Sequence, residues 1–116
     1  MANLSAAQIL GIKPKVLAVN VPEWNGSVFI RELLANERDW FEAWQLGADN
    51  NPERFKGVRA KIVSYCICDE SGTRLFSDDD AARLGDLPAR GLDTVFTAIL
   101  DLNALNGSSM KEAEKN

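Results

Sequence analysis

The sequence predicts an α+β fold, an N-terminal β-hairpin packed on a mostly helical domain of about four to five helices. Three observations predict it. A β-branched stretch from Lys15 to Val21 faces a second from Ser27 to Glu32 across Pro22-Glu23-Trp24-Asn25-Gly26. Apolar residues downstream recur at three- and four-residue steps, the helical period. The chain has 116 residues, 46% of them hydrophobic, which suits one domain with one core. A lone hairpin is marginal in water, so its apolar face needs the helices beneath it.

The elements follow in order. Ser5-Ala6-Ala7-Gln8 reads as a capping box, opening a short helix through Leu10 that Gly11 stops. Val16, Val19 and Val21 mark the first strand, and Asn25-Gly26 supplies the positive φ of a tight turn. Asn36 is the expected N-cap of the next helix, with Glu37 and Asp39 in its first turn and Trp40, Phe41 and Trp44 as its stripe. Gly47 to Pro52 breaks the chain. Pro52, capped by Asn51, then suits the start of a central helix. Its buried face is Phe55, Val58, Ile62, Tyr65 and Cys66, widened by Val63 and Ile67, and the helix is expected to reach Cys68.

Asp69 to Thr73 forms a turn, and Arg74-Leu75-Phe76 a short extended piece. Ser77 with Asp78-Asp79-Asp80 opens a further short helix that ends at Gly85. Pro88 begins the last helix, striped by Leu92, Val95, Phe96, Ile99 and Leu102 and closed by Asn106-Gly107. Residues 1–107 therefore read as a single domain. Residues 108–116 are polar without an apolar face and are expected to be a disordered tail.

Charge and composition narrow the function. The 13 basic and 17 acidic residues leave a net charge of −4, which argues against nucleic acid as a partner. No window approaches the ~18 apolar residues of a membrane span, and the N-terminus lacks a signal-peptide pattern. The expectation is a cytoplasmic protein with no membrane contact. The absence of histidine excludes imidazole acid–base chemistry and imidazole metal ligation.

Candidate chemistry is thin. Cys66 and Cys68, two apart on a helix, point away from each other, and no further Cys or His completes a zinc site. Cys66 reads as a core residue, with Cys68 on the far side and partly exposed. Asp78-Asp79-Asp80 does not match a calcium loop and is explained as acidic residues at a helix start. Gly72, Gly85, Gly91 and Gly107 form no phosphate cradle, and Lys56, Arg59 and Lys61 read as a solvated helix face. No cofactor is implied. An enzyme would need a site built between subunits from Tyr65, lysine or carboxylate chemistry, and no convergent polar cluster supports one. A non-catalytic interaction protein is the expectation.

Three residues are candidates for protein binding. Trp24, at the hairpin tip, either folds back on its own strands or anchors a partner. Leu100 and Leu105 lie off the main stripe of the last helix, so its outer face is a candidate for self-association or client binding. A small cytosolic adaptor would have the same features.

The order of parts carries a resemblance. Leu4 to Leu10 leads into Val19-Asn20-Val21-Pro22-Glu23-Trp24, Asn25-Gly26 and Val28 to Leu33. Asn36-Glu37-Arg38-Asp39 with Phe41-Glu42, Ala60 to Cys68, and Asp69 to Phe76 come next. Leu84-Gly85, Leu87-Pro88 and Leu102 to Gly107 close the series. This series resembles the short tail assembly chaperones of long-tailed phages and prophages, counterparts of the lambda gene G product. The resemblance implies binding to the tape-measure protein, and recruitment of the major tail protein through a longer form made by a −1 frameshift. It also implies work in the host bacterial cytoplasm and absence from the mature virion, and it brings no catalytic residues. Glu114-Lys115-Asn116 permits the codons GAA-AAA-AAC, which contain a slippery heptamer.

Overall fold

A computed structural model describes residues 3–46 and 57–105. Helix α1 (Ala6–Leu10) opens with the expected capping box: Gln8 N–H donates to Ser5 Oγ, and Ser5 N–H donates to the Gln8 side chain. Gly11 closes it, and none of its residues is buried. Strands β1 (Val16–Val21) and β2 (Gly26–Arg31) pair antiparallel, Val16 opposite Arg31 and Val21 opposite Gly26. A 3-10 turn over Pro22–Trp24 joins them, and Asn25 at φ 55 takes the left-handed conformation the tight turn requires.

Helix α2 (Ala35–Leu46) starts one residue before the expected cap. Asn36 sits inside its first turn, and Glu37 closes the helix start by accepting the Leu34 N–H at 2.8 Å. The same carboxylate makes a two-pronged pair with Arg31, both contacts 2.9 Å, and Arg31 is only 3% exposed. Burial opposes the charge on Arg31, but the hydrogen bonds and charge of Glu37 outweigh it and hold its pKa above the ordinary value. The pair locks α2 to the end of β2. On the stripe of α2, Phe41 is buried and stacks on Trp44, while Trp40 meets Tyr65 edge-on.

Helix α3 (Val58–Cys66) follows Gly57, whose φ of 75 favours glycine. The expected start at Pro52 and the core position Phe55 lie outside the described residues. Its far end corrects the sequence reading. The helix stops at Cys66, and Ile67–Cys68 form β3, pairing antiparallel with β2 through Ile30–Ile67 and Phe29–Cys68. The sheet therefore has three strands in the order β1-β2-β3. Edge pairing with β2 overrides the helical spacing, and it buries Cys68, which was expected to be partly exposed. Arg74 seals the helix end, its guanidinium donating to the Ser64 carbonyl at 3.1 and 3.2 Å.

Ser77 and Asp80 form a second capping box, opening a 3-10 turn that runs into α4 (Ala81–Gly85). Helix α5 (Ala89–Leu102) begins after Pro88 as expected. Residues of α3 and α5 pack against Val21, Ile30 and Ile67 of the sheet, with Ile62, Val63, Val95 and Ile99 fully enclosed. Because α5 and α3 floor one face of the sheet, the hairpin tip is brought down onto α5. The polar segment 108–116, expected to be a tail, lies outside the described residues.

Candidate apolar docking surface at the hairpin tip

The hairpin tip is fastened to α5 by two contacts. Thr94 Oγ1 donates to Glu23 at 2.7 Å, and this bond holds the Glu23 carboxyl below its usual pKa. Beside it the Trp24 indole lies over Gly91, so close that a Cβ there would collide with the ring. That contact explains a glycine inside a helix, where it costs about 1 kcal/mol relative to alanine. Trp24 is half-buried, with its indole seated on α5 at Gly91 and Val28 of β2 sharing the groove beside it.

The open edge of Trp24 forms one wall of a groove of about 370 Å³. Val28 and Ile67 form its floor, and Leu75, Phe76, Leu84 and Leu87 complete it. Every lining residue is apolar. An adjoining hollow of about 450 Å³ shares Leu75, Phe76, Leu84 and Leu87 and ends at Asp80 and Arg83. Leu87 lies just ahead of Pro88 and is 40% exposed. Local bonds position the wall. Asp69 accepts from the Ser71 and Thr73 N–H groups to shape the turn, and Arg74 pairs with Asp78 at 3.0 Å. Such a surface can take apolar side chains from a protein partner and offers no group poised for acid–base work.

The other two candidates sit at the far end of α5. The helix was expected to run to Asn106-Gly107, both outside the described residues. It ends instead at Leu102, because Ala104 turns left-handed at φ 55. Leu105 N–H donates to the Leu100 carbonyl at 2.8 Å and Ala104 N–H to the Asp101 carbonyl at 3.2 Å. These two bonds define a Schellman motif, in which Leu100 and Leu105 hold the positions that make its hydrophobic contact. Leu105 is therefore beyond the helix. Both leucines are half-buried and packed on the core rather than spread over an outer face. Asn103, itself buried, ties this end to the sheet by accepting the Leu33 N–H at 3.0 Å. Leu34 next to it is 49% exposed.

The remaining candidates have local explanations. Burial pushes the Cys66 thiol up to about 12 and raises Cys68 as well, so both are held as neutral thiols. Asp80 is held in its capping box, where the Ser77 N–H lowers its pKa. Sequence reading missed Leu75, Phe76 and Leu84 as groove walls, because the fold assembles them from separate segments. The signal that was present is Gly91, since an isolated glycine in an apolar helix often marks a close approach.

Fold and surface together define a small α+β protein with an apolar groove beside its hairpin tip. A family model described as phage tail assembly chaperone matches residues 3–116, and the chain belongs to that family. That family is a chaperone family, not an enzyme class. Among solved structures, the tail assembly chaperone of bacteriophage HK97 is similar at a TM-score of 0.58 and 22% identity. That match covers 83% of this chain and 90% of the other, and it shows a shared fold. A search of curated proteins finds no match. Among the described residues no helix is long and apolar enough to cross a membrane.

Proposed function

We propose that this chain binds the tape-measure protein in the host cytoplasm, keeps it soluble until the tail tube forms, and leaves before the virion is complete. A longer form made by a −1 frameshift would recruit the major tail protein. Family membership over residues 3–116 is the observation that carries the reading. Exposed aliphatic side chains on an acidic chain add support, because a long helical client needs its apolar stripes covered while the complex stays soluble. Leu100 and Leu105, with exposed Leu34 beside them, are assigned to the client. Trp24 and its groove are assigned to contact between copies of the chain.

Co-expression with the long helical protein encoded beside this gene tests the reading. The wild-type chain should keep that protein soluble and co-purify with it. Leu34→Asp and Leu105→Asp should each reduce recovery about tenfold, the effect of losing about 1.4 kcal/mol, and exposed Leu34→Asp should leave the melting temperature unchanged. A client that stays insoluble with the wild-type chain contradicts the function. Full recovery with both variants contradicts the surface. The nucleotide sequence across Glu114 to Asn116 checks the longer form, which requires a slippery run and an overlapping −1 frame.

A further inference from the structure

Two apolar features are left open in the single chain. One is the groove under Trp24. The other is the N-terminal arm, where Leu4, Ile9, Leu10 and Ile12 are all exposed, Leu10 at 87%. We propose that the arm of a second copy of this chain seats its aliphatic side chains in the groove. The inference rests on the assignment of the groove to contact between copies and names the segment that fills it.

Charge favours this occupant. The first 22 residues contain no Asp or Glu, and Lys13 and Lys15 make the arm basic. The segment that brings Leu84 and Leu87 to the groove carries Asp78, Asp79, Asp80 and Asp86 against Arg83, with Arg74 pairing Asp78 from just ahead of it. An arm entering the groove thus brings cations to an acidic rim. The 108–116 tail, with Lys111 and Lys115 offset by Glu112 and Glu114, has neither the charge nor an aliphatic face.

In this chain the arm stands off the groove, and Ile9, Leu10 and Ile12 do not reach its Trp24 end. Glu32 N–H donates to the Lys15 carbonyl at 3.0 Å, and Lys15 N–H to the Glu32 carboxylate at 2.7 Å, which pins Lys15 at the open end of the hairpin. Trp24 lies at the opposite end, past β1, about 17–20 Å away at ~3.4 Å per residue. Three chain steps separate Ile12 from Lys15, a reach of about 10 Å when fully extended. Ile9 and Leu10 sit in the bonded turn before Ile12 and gain only about 1.5 Å per residue. These three side chains fall short of the Trp24 wall of their own groove, while a neighbour's groove carries no such limit. The capping box also preforms α1, so docking orders little new backbone.

Cross-linking tests the contact. A Leu10→Cys chain is mixed with an affinity-tagged Leu87→Cys chain under mild oxidation, the native cysteines being buried. The expected product is a mixed-chain disulfide that outnumbers either like-with-like product by several fold. A statistical mixture, or like-with-like products alone, overturns the proposal. Light scattering on the chain and on a variant lacking residues 1–12 separates the two layers of the argument. The full chain should exceed monomer mass and the truncated chain should not. Equal masses above monomer overturn the arm while keeping contact between copies, and a monomeric full chain overturns both. Since α1 buries no residue, the truncated chain should melt within a degree or two of the full chain.

Discussion

The first and last described helices teach opposite lessons. Helix α1 has a complete side-chain cap at its start and a glycine at its end, yet it buries nothing. Helix α5 has no side-chain cap at its start and no glycine at its end, yet Leu92, Val95 and Ile99 place it at the centre of the core. Local signals can mark where a helix begins and ends. Burial of an apolar stripe decides whether it belongs to the body of the protein. A helix with the first and without the second is an arm.

Substitutions that divide the two helices should sharpen this contrast. Ile99→Ala removes a fully buried side chain and should cost about 2–5 kcal/mol in chemical denaturation. Leu10→Ala in dilute solution should fall within about 0.5 kcal/mol of wild type. A cost near that of Ile99→Ala would mean that α1 is seated on its own chain. Gly91→Ala should come next, at about 1–3 kcal/mol, because the added methyl displaces the Trp24 ring. Its second readout is red-shifted tryptophan emission as the indole leaves α5. Unchanged stability and emission would show that the hairpin tip is not fastened there. The last effect should be a gain. Ala104 holds a left-handed φ of 55, so Ala104→Gly should stabilise the chain by about 0.5–1 kcal/mol. A loss would mean that the helix end is held by something other than the Schellman bonds.

The parts legible in the sequence are those with local causes. The box at Ser5 and Gln8, the opening at Ser77 and Asp80, the Asn25-Gly26 turn and the start at Pro88 depend on neighbours in sequence, and each stands where it was read. The misses have long-range causes. Ile67 and Cys68 fit the period of α3 and become a strand because β2 offers them an edge. Arg31, a charged residue at a strand end, is buried because Glu37 arrives from the next helix. The end of α5 was placed at Asn106-Gly107 by residue type, but Ala104 takes the left-handed position and Asn103 ties the end to Leu33. The candidate site shows the same division. Trp24 was legible as a hairpin-tip residue, whereas the groove it walls draws on Leu75, Phe76, Leu84 and Leu87 and exists only in the fold.

Hydrogen exchange of the α1 amides as a function of chain concentration tests the central claim most directly. An arm that is unseated in one chain and completed by another should exchange freely in dilute solution and gain protection as concentration rises. The α5 amides should stay protected throughout. Protection of α1 that is already high in dilute solution, or absent at every concentration, would contradict the account.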